Sequence, residues 1–242
     1  MARRRFFVGR FQKGAAVIEG DEAAHLTRVL RVEKGQQFEI SDNSEVWLAT
    51  VTEARKSLVA FELVEPMEAG PAAAPVDLYA ALFKFDRFEW MIEKATELGV
   101  RRVIPVETRR SEQGLFAAAE KRVERWRRIA REASQQSRRA QLPEIAAAIR
   151  FRELPRDGER VLLDELQGTP TLQIKASPVA LLAGPEGGWT DDERENLRAN
   201  CWTAASLGAT VLRAETAAIA GLAVVIHELA GLTTRQTDTL KS

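Results

Sequence analysis

Five short apolar runs follow one another downstream of residue 75: VDLYAAL from Val76, VIPV from Val103, VLLDEL from Val161, VALLAG from Val179 and TAASLG from Thr203. Segments of helical periodicity lie between several of them. Strands this short and this uniformly apolar are buried on both faces, and helices between them supply the cover, so the pattern predicts an α/β domain built on a parallel sheet. The helix after the first run is marked by Phe88, Met91, Ile92, Ala95 and Leu98 at helical spacing, with Gly99 placed to terminate it. A longer helix is predicted from about Ala119 to Arg139. Its apolar seam is Val123, Trp126, Ala130 and Ala133, and Arg122, Arg125, Arg127, Arg128 and Arg131 lie on its outer face.

Upstream the rhythm differs. The stretch EPMEAGPAAAP, Glu65 to Pro75, carries three prolines and a glycine without apolar periodicity, the composition of a linker. The division predicted is a first domain over residues 1–68, a linker over 69–75 and a second domain over 76–242. Phe38 and Ile40 alternate, EVWLATV follows the turn DNSE, and Val59, Phe61 and Leu63 alternate after ARKS, which reads as a small β-barrel. One helix interrupts it, DEAAHLTRVLR, with Asp21 as cap and Leu26, Val29 and Leu30 facing inward. His25 and Arg28 share its other face, with Arg31 nearby. Together with RRRFFVGR, which contains Arg5, this gives a cationic, partly aromatic surface suited to RNA backbone and unstacked bases. A plain solvated helix face is the alternative.

Composition excludes several classes. A chain of 242 residues with 45% hydrophobic content buries a real core. The single cysteine, Cys201, excludes an internal disulfide and reads as a small buried residue; with only His25 and His227 there is no ligand set for structural zinc, so no metal is expected. His227, in an apolar final helix, reads as a core histidine. Arg3, Arg4, Arg5 and Arg10 leave no apolar stretch for a secretory signal, and no charge-free membrane span is apparent, so a cytoplasmic protein is expected. The net charge of zero hides a bias: residues 101–139 hold twelve Lys and Arg against five Asp and Glu, residues 32–100 six against thirteen. Such a local excess suits either a phosphate-binding surface or a solvated helix face.

Two glycine-containing segments fall at expected strand ends, where parallel sheets bind ligands. In LLAGPEGGWTDDE, Leu181 to Glu193, Gly184, Gly187 and Gly188 permit close backbone approach, and Thr190 with Glu193 forms a capping box. SLGATVLRAETAA, Ser206 to Ala218, runs from a strand end into an apolar helix and places Arg213, Glu215 and Thr216 among apolar neighbours. Each is readable as an ordinary turn with a helix cap. Together, at adjacent strand ends, they argue for a pocket built largely from backbone groups. The chain has neither GxGxxG opening a first strand nor GxxxxGK[ST], so dinucleotide and nucleotide triphosphate sites lack support.

These two segments together resemble the signature pair of the SPOUT superfamily of S-adenosylmethionine-dependent RNA methyltransferases. The resemblance is specific to the bacterial family that methylates N3 of a uridine in the decoding region of small-subunit (16S) ribosomal RNA. HLTRVLR at 25–31, EKATELGV at 93–100 and EASQQSRR at 132–139 match in the same order. Gln135 stands where the family would carry Glu, and Trp189 where Phe or Leu is more usual. The resemblance implies a PUA-like barrel, a C-terminal domain with a trefoil knot, and a homodimer with the cofactor pocket near the subunit interface. It implies that Leu182, Gly184, Glu186, Gly187 and Gly188, with Leu207, Gly208, Leu212 and Arg213, hold S-adenosylmethionine. It also implies that 16S rRNA, either free or within the assembled small ribosomal subunit, is the partner, met by Arg5, His25, Arg28 and Arg31 and by Arg138 and Arg139 of the EASQQSRR block.

Methyl transfer from a sulfonium needs alignment and exclusion of water. The uracil N3 proton is weakly acidic, and its loss charges the flanking carbonyl oxygens, so a base or an arginine that stabilises that charge would serve. Arg213 and Glu215 are the candidates, with Arg139 as a second cation; alternatively Arg213 and Glu215 only pair and cap the last helix. Two other functions stay open on sequence: another SPOUT methylation such as ribose 2′-O, and a non-catalytic RNA-binding assembly factor.

Overall fold

The computed structural model describes residues 4–69 and 73–239. Of the predicted linker, residues 70–72 lie outside the described residues, as does Arg3. The chain forms two compact units, Met1–Ala72 with Arg131–Leu142, and Ala73–Ala130 with Pro143–Ser242. Segment 131–142 thus belongs with the N-terminal unit although it lies within the span assigned by sequence to the second domain.

The first unit holds β1 (Arg5–Phe7), β2 (Ala15–Glu19), α1 (Gly20–Arg28), β3 (Gln37–Ser41), β4 (Val46–Arg55) and β5 (Leu58–Met67), in the barrel-like sheet order β1-β3-β4-β5-β2. Register shifts at Leu48/Ala49 and Val51/Glu53 mark irregularities in the long β4–β5 pairing. Such shifts bend a sheet around its own core, here Phe6, Ile18, Leu26, Ile40, Val59 and Phe61. Helix α1 differs from expectation at both ends. Its N-cap is Glu19, without a side-chain cap bond, and Asp21 lies inside the first turn, where a carboxylate favours the helix dipole. The helix stops at Arg28, so Val29 is exposed and Leu30 half-buried; Ala23 and Leu26 carry the buried face.

The second unit contains β6 (Val76–Ala81), α2 (Phe85–Leu98), β7 (Arg102–Glu107), α3 (Leu115–Ala119), α4 (Val123–Gln136, which continues into the first unit), β8 (Glu144–Ile145) and β9 (Ile149–Arg150). It continues with β10 (Glu159–Leu163), β11 (Val179–Ala183), α5 (Asp191–Ala199), β12 (Thr203–Ala205) and α6 (Ala214–Thr239). All strand pairs are parallel, in the order β12-β10-β11-β6-β7-β8, with β9 also on β7. The five apolar runs read from sequence are strands β6, β7, β10, β11 and β12. Phe88, Met91, Ile92 and Ala95 are buried, and Gly99 caps α2 in the left-handed conformation at φ 98°. Leu98 is exposed, so the apolar face of α2 ends a turn earlier than its spacing suggests.

The single helix expected over 119–139 is three pieces: α3, a 3₁₀ turn at Glu120–Arg122, and α4 ending at Gln136. Its seam is buried as expected. Its arginine stripe, however, is largely partnered. Arg125 makes a two-pronged pair with Glu89 (2.7 and 2.8 Å), Arg127 meets Glu124 at 2.6 Å, and Arg131 meets Glu22 at 2.9 Å.

Two further expectations are corrected. Cys201 is exposed, at φ 57° just beyond α5, because the buried position falls to Trp202. His227 is exposed on α6, whose core face is Ala218, Leu222, Val225 and Leu229. Ala214–Leu232 is long and apolar enough by length and composition to cross a membrane, with a mean hydropathy of 1.5, but it carries Glu215 and Glu228 and so is not a charge-free span. Its inward side packs on α2, β11 and β6.

Candidate active site

Strand β10 lies between β11 and β12 in the sheet, so the glycine-containing loops that follow β11 and β12 flank it rather than sit side by side. They close over its carboxyl end to form a cleft of about 550 Å³. Every residue expected to hold a cofactor lines this cleft except Leu182, which is fully buried in the core instead. Leu163, Asp164 and Glu165 from the end of β10 form its floor and were missed on sequence. The available signal was the polar pair that ends the run VLLDEL, at a strand end like the two loops but without glycine.

The first loop is fixed from within. Thr190 Oγ1 accepts the Glu193 N–H at 3.2 Å and Glu193 Oε2 accepts the Thr190 N–H at 3.0 Å, the reciprocal capping box read from sequence. Trp189 is buried and its indole N–H donates to the Leu163 carbonyl at 2.9 Å. A Cβ on Gly184 would lie 2.9 Å from the Trp189 ring, so glycine is required there by internal packing. Gly188 adopts φ +68°, Arg110 donates to the Gly187 carbonyl, and the Gly188 N–H closes a turn on the Pro185 carbonyl at 2.9 Å. Arg194 reaches Asp164 at 2.8 and 3.1 Å and the Trp189 carbonyl at 2.8 Å. Its hydrogen bond to the Asp164 carboxylate raises the Arg194 pKa further above the ordinary arginine value.

The second loop is tied to the chain after β10. The Ser206 N–H donates to the Pro170 carbonyl at 2.7 Å, and the Leu172 N–H to the Ser206 carbonyl at 3.1 Å. Gly208 has φ +131°, and a Cβ there would meet no protein atom within 4 Å; its N–H donates to Ser206 Oγ at 3.2 Å and its carbonyl accepts from the same hydroxyl at 3.1 Å. Val211 is 81% exposed and Arg213 is exposed. Among the described residues no carboxylate is within ion-pairing distance of Arg213.

Glu215 does not pair with Arg213. It is buried in the first turn of α6, with Oε1 3.9 Å from Arg87 Nε and Oε2 without a hydrogen-bond partner among the described residues. Arg87, in the first turn of α2, also bonds Glu186 of the first loop. Arg87 was not singled out on sequence, since it lies a hundred residues from the loops and has no motif of its own.

The RNA-contact candidates belong to the first unit. His25, Arg28 and Arg31 are exposed. Arg5, expected on a surface, is buried: its guanidinium holds the buried Glu39 at 2.9 Å and the Arg138 carbonyl at 2.7 Å. Arg138 bonds the same carboxylate from the exposed side. Arg139 is half-buried and donates to the Gln141 carbonyl at 3.0 Å; burial lowers its pKa to about 10, which leaves it charged at neutral pH.

Comparison with known proteins gives consistent matches. A family model of an RNA methyltransferase domain matches residues 71–226, and one of an RNA methyltransferase PUA domain matches residues 18–64. The ribosomal RNA small subunit methyltransferase E of Synechocystis is 33% identical over 222 residues, covering 83% of this chain and 69% of its own. That of Mycobacterium bovis is 31% identical over 223 residues, covering 87% and 85%. A solved methyltransferase from Legionella pneumophila, in complex with the cofactor SAM, has a TM-score of 0.84 at 26% identity and covers 93% of this chain and 97% of its own.

Proposed function

The chain belongs to the RNA methyltransferase family, and from that premise we propose that it methylates N3 of a uridine in 16S ribosomal RNA with S-adenosylmethionine as donor. The observation that carries the proposal is the cleft in which the two glycine-containing loops close over the end of β10. Its volume lies within the range of small-molecule sites. Gly208 has no side chain and no protein atom near its Cβ position, so a ligand can come close there. Leu207 and Leu212 offer apolar contact, and the exposed carboxylate of Glu165 lies at the cleft 3.6 Å from Arg194, while that of Glu186 is held by Arg87. The names and bound cofactor of the relatives described above support the same reading.

When bound, S-adenosylmethionine supplies an electrophilic methyl group. The chain's own task is to align the acceptor, exclude water and deal with the N3 proton. Arg213, exposed at the cleft without an acidic partner, is assigned the charge that develops on the uracil carbonyl oxygens. Glu215 is buried beside the cleft and does not line it; with one carboxylate oxygen unpartnered and Arg87 at 3.9 Å, it is assigned the N3 proton on the condition that substrate binding opens it to the cleft. The exposed face of His25, Arg28 and Arg31 is assigned to the RNA backbone. A homodimer, a knotted path for the two loops and a cytoplasmic location belong to the same proposal. Only 33% of the apolar stretch of α6 is buried within one chain, which leaves surface for a second copy.

Mass mapping of 16S rRNA incubated with the protein and donor tests the proposal: a single new methyl group at uridine N3 is expected, and a methyl on ribose O2′, or none, contradicts it. Charge reversal of Arg28 and Arg31 to Glu is expected to raise the RNA dissociation constant and flatten its salt dependence, by roughly 0.7 in slope for each phosphate that is no longer neutralised. Unchanged values for both would remove α1 from the RNA surface.

A further inference from the structure

A second cleft, of about 620 Å³, opens in the same unit on the other side of the loop that follows β11. Arg109, Arg150 and Arg152 line it, together with Phe151, Asp192 and Asn196. All three arginines are exposed, and among the described residues none of them forms an ion pair, although the Arg150 guanidinium lies over the Phe116 ring at 5.3 Å. This contrasts with α4, where Arg125, Arg127 and Arg131 each hold a carboxylate. Three acids, Glu107, Asp192 and Glu193, also line the cleft and balance the arginines formally, but none is within ion-pairing distance of them; Glu193 is buried, with its oxygens turned to the Arg109 N–H at 2.8 Å and to Thr190.

The two clefts share a wall. Trp189, which packs behind Gly184 on the first cleft, stands against Phe151 of the second with ring centroids 6.3 Å apart. Arg110 holds the Gly187 carbonyl of the first cleft while its neighbour Arg109 lines the second. Glu193, which lines the second cleft, is the residue that caps the loop of the first. A polymer with one unit in the first cleft therefore has unpaired cations waiting across a single loop.

We infer that this second cleft is a substrate subsite that binds the phosphodiester backbone of single-stranded RNA next to the target nucleotide. The inference rests on the function proposed above. Three guanidinium groups match phosphate oxygens in charge and geometry. The half-buried Phe151 ring offers a stacking face beside them, the usual combination for an unpaired strand. Asp191 and Asp192 fill the first turn of α5 and turn phosphate away from its amides, so the backbone lies on the arginine side.

The test uses the full chain, 16S rRNA and the double variants Arg109→Ala/Arg152→Ala and Arg109→Lys/Arg152→Lys. The alanine pair is expected to weaken RNA binding on the order of tenfold and to reduce the slope of log affinity against log salt by roughly 1.4, about 0.7 per phosphate. Calorimetric affinity for S-adenosylmethionine is expected to stay unchanged, and the lysine pair to restore the slope. A wild-type enzyme that methylates the RNA while the alanine pair keeps its RNA affinity and slope overturns the subsite alone. A loss that lysine fails to restore and that extends to the cofactor also overturns it, by assigning the arginines to the fold. A wild-type protein that leaves the RNA unmethylated overturns the underlying function.

Discussion

Replacing Arg213 by alanine is expected to lower turnover by roughly 10²- to 10³-fold, the usual cost of removing one donor that stabilises transition-state charge. Affinity for S-adenosylmethionine is expected to change by about twofold or less. The side chain stands exposed at the cleft with no carboxylate in reach, so it contributes little to folding and is free to meet charge that appears only during reaction. Nor does it form the α6 start through Glu215, which faces Arg87. The main chain of residue 213 does take part in that start, since its carbonyl accepts the Ala217 N–H at 2.8 Å, but alanine keeps that bond. Single-turnover kinetics with calorimetric titration of the donor separate the two quantities. Equal losses in turnover and in donor affinity would assign Arg213 to cofactor binding.

The second large effect comes from Gly184. Replacement by valine is expected to weaken donor binding by more than about a hundredfold and to destabilise the second unit by about 1–3 kcal/mol, the range for overpacking a filled site. Even the first carbon would sit 2.9 Å from the indole, and the indole has nowhere to go: it is 1% exposed, bonded to the Leu163 carbonyl and packed on Phe151. The strain must then pass into the loop that forms one wall of the cleft. A smaller ring supplies the control. In a Trp189→Phe background, Gly184→Ala is expected to bind the donor several-fold better than Gly184→Ala alone, a coupling of the size seen between touching residues. Additive effects in that double-mutant cycle, measured by calorimetry and thermal unfolding, would show that the clash is not what constrains the loop.

Much of this was legible in the chain itself. Uniform apolar runs give the parallel strands, because a strand buried on both faces has no polar side to show. The cap at Thr190 and the stop at Gly99 were readable because both depend on neighbours a few residues away. What escaped depends on partners far along the chain. The floor of the cleft, Leu163 to Glu165, follows from β10 lying between β11 and β12, an order that strand spacing does not encode. Arg87 meets Glu186 and Glu215 only once α2 is folded against the sheet.

Arg5 was misplaced for a related reason. Phe38, Glu39 and Ile40 alternate as though one face of β3 were wet, yet Glu39 is buried beneath Arg5 and Arg138, supplied by segment 131–142 of the same unit. A carboxylate so placed needs its cations, and removing one partner of such a pair is costly. The exposure of His227 and Cys201 has the opposite origin: both sit in or beside helices whose inward positions are already filled by apolar neighbours.

The most direct measurement is a crystal structure of the protein soaked with S-adenosylmethionine. The account predicts the donor between residues 184–188 and 206–213, contacted by main-chain groups of both loops, with its methyl group directed toward Arg213. A donor lodged elsewhere, or one touching only one of the two loops, would contradict it.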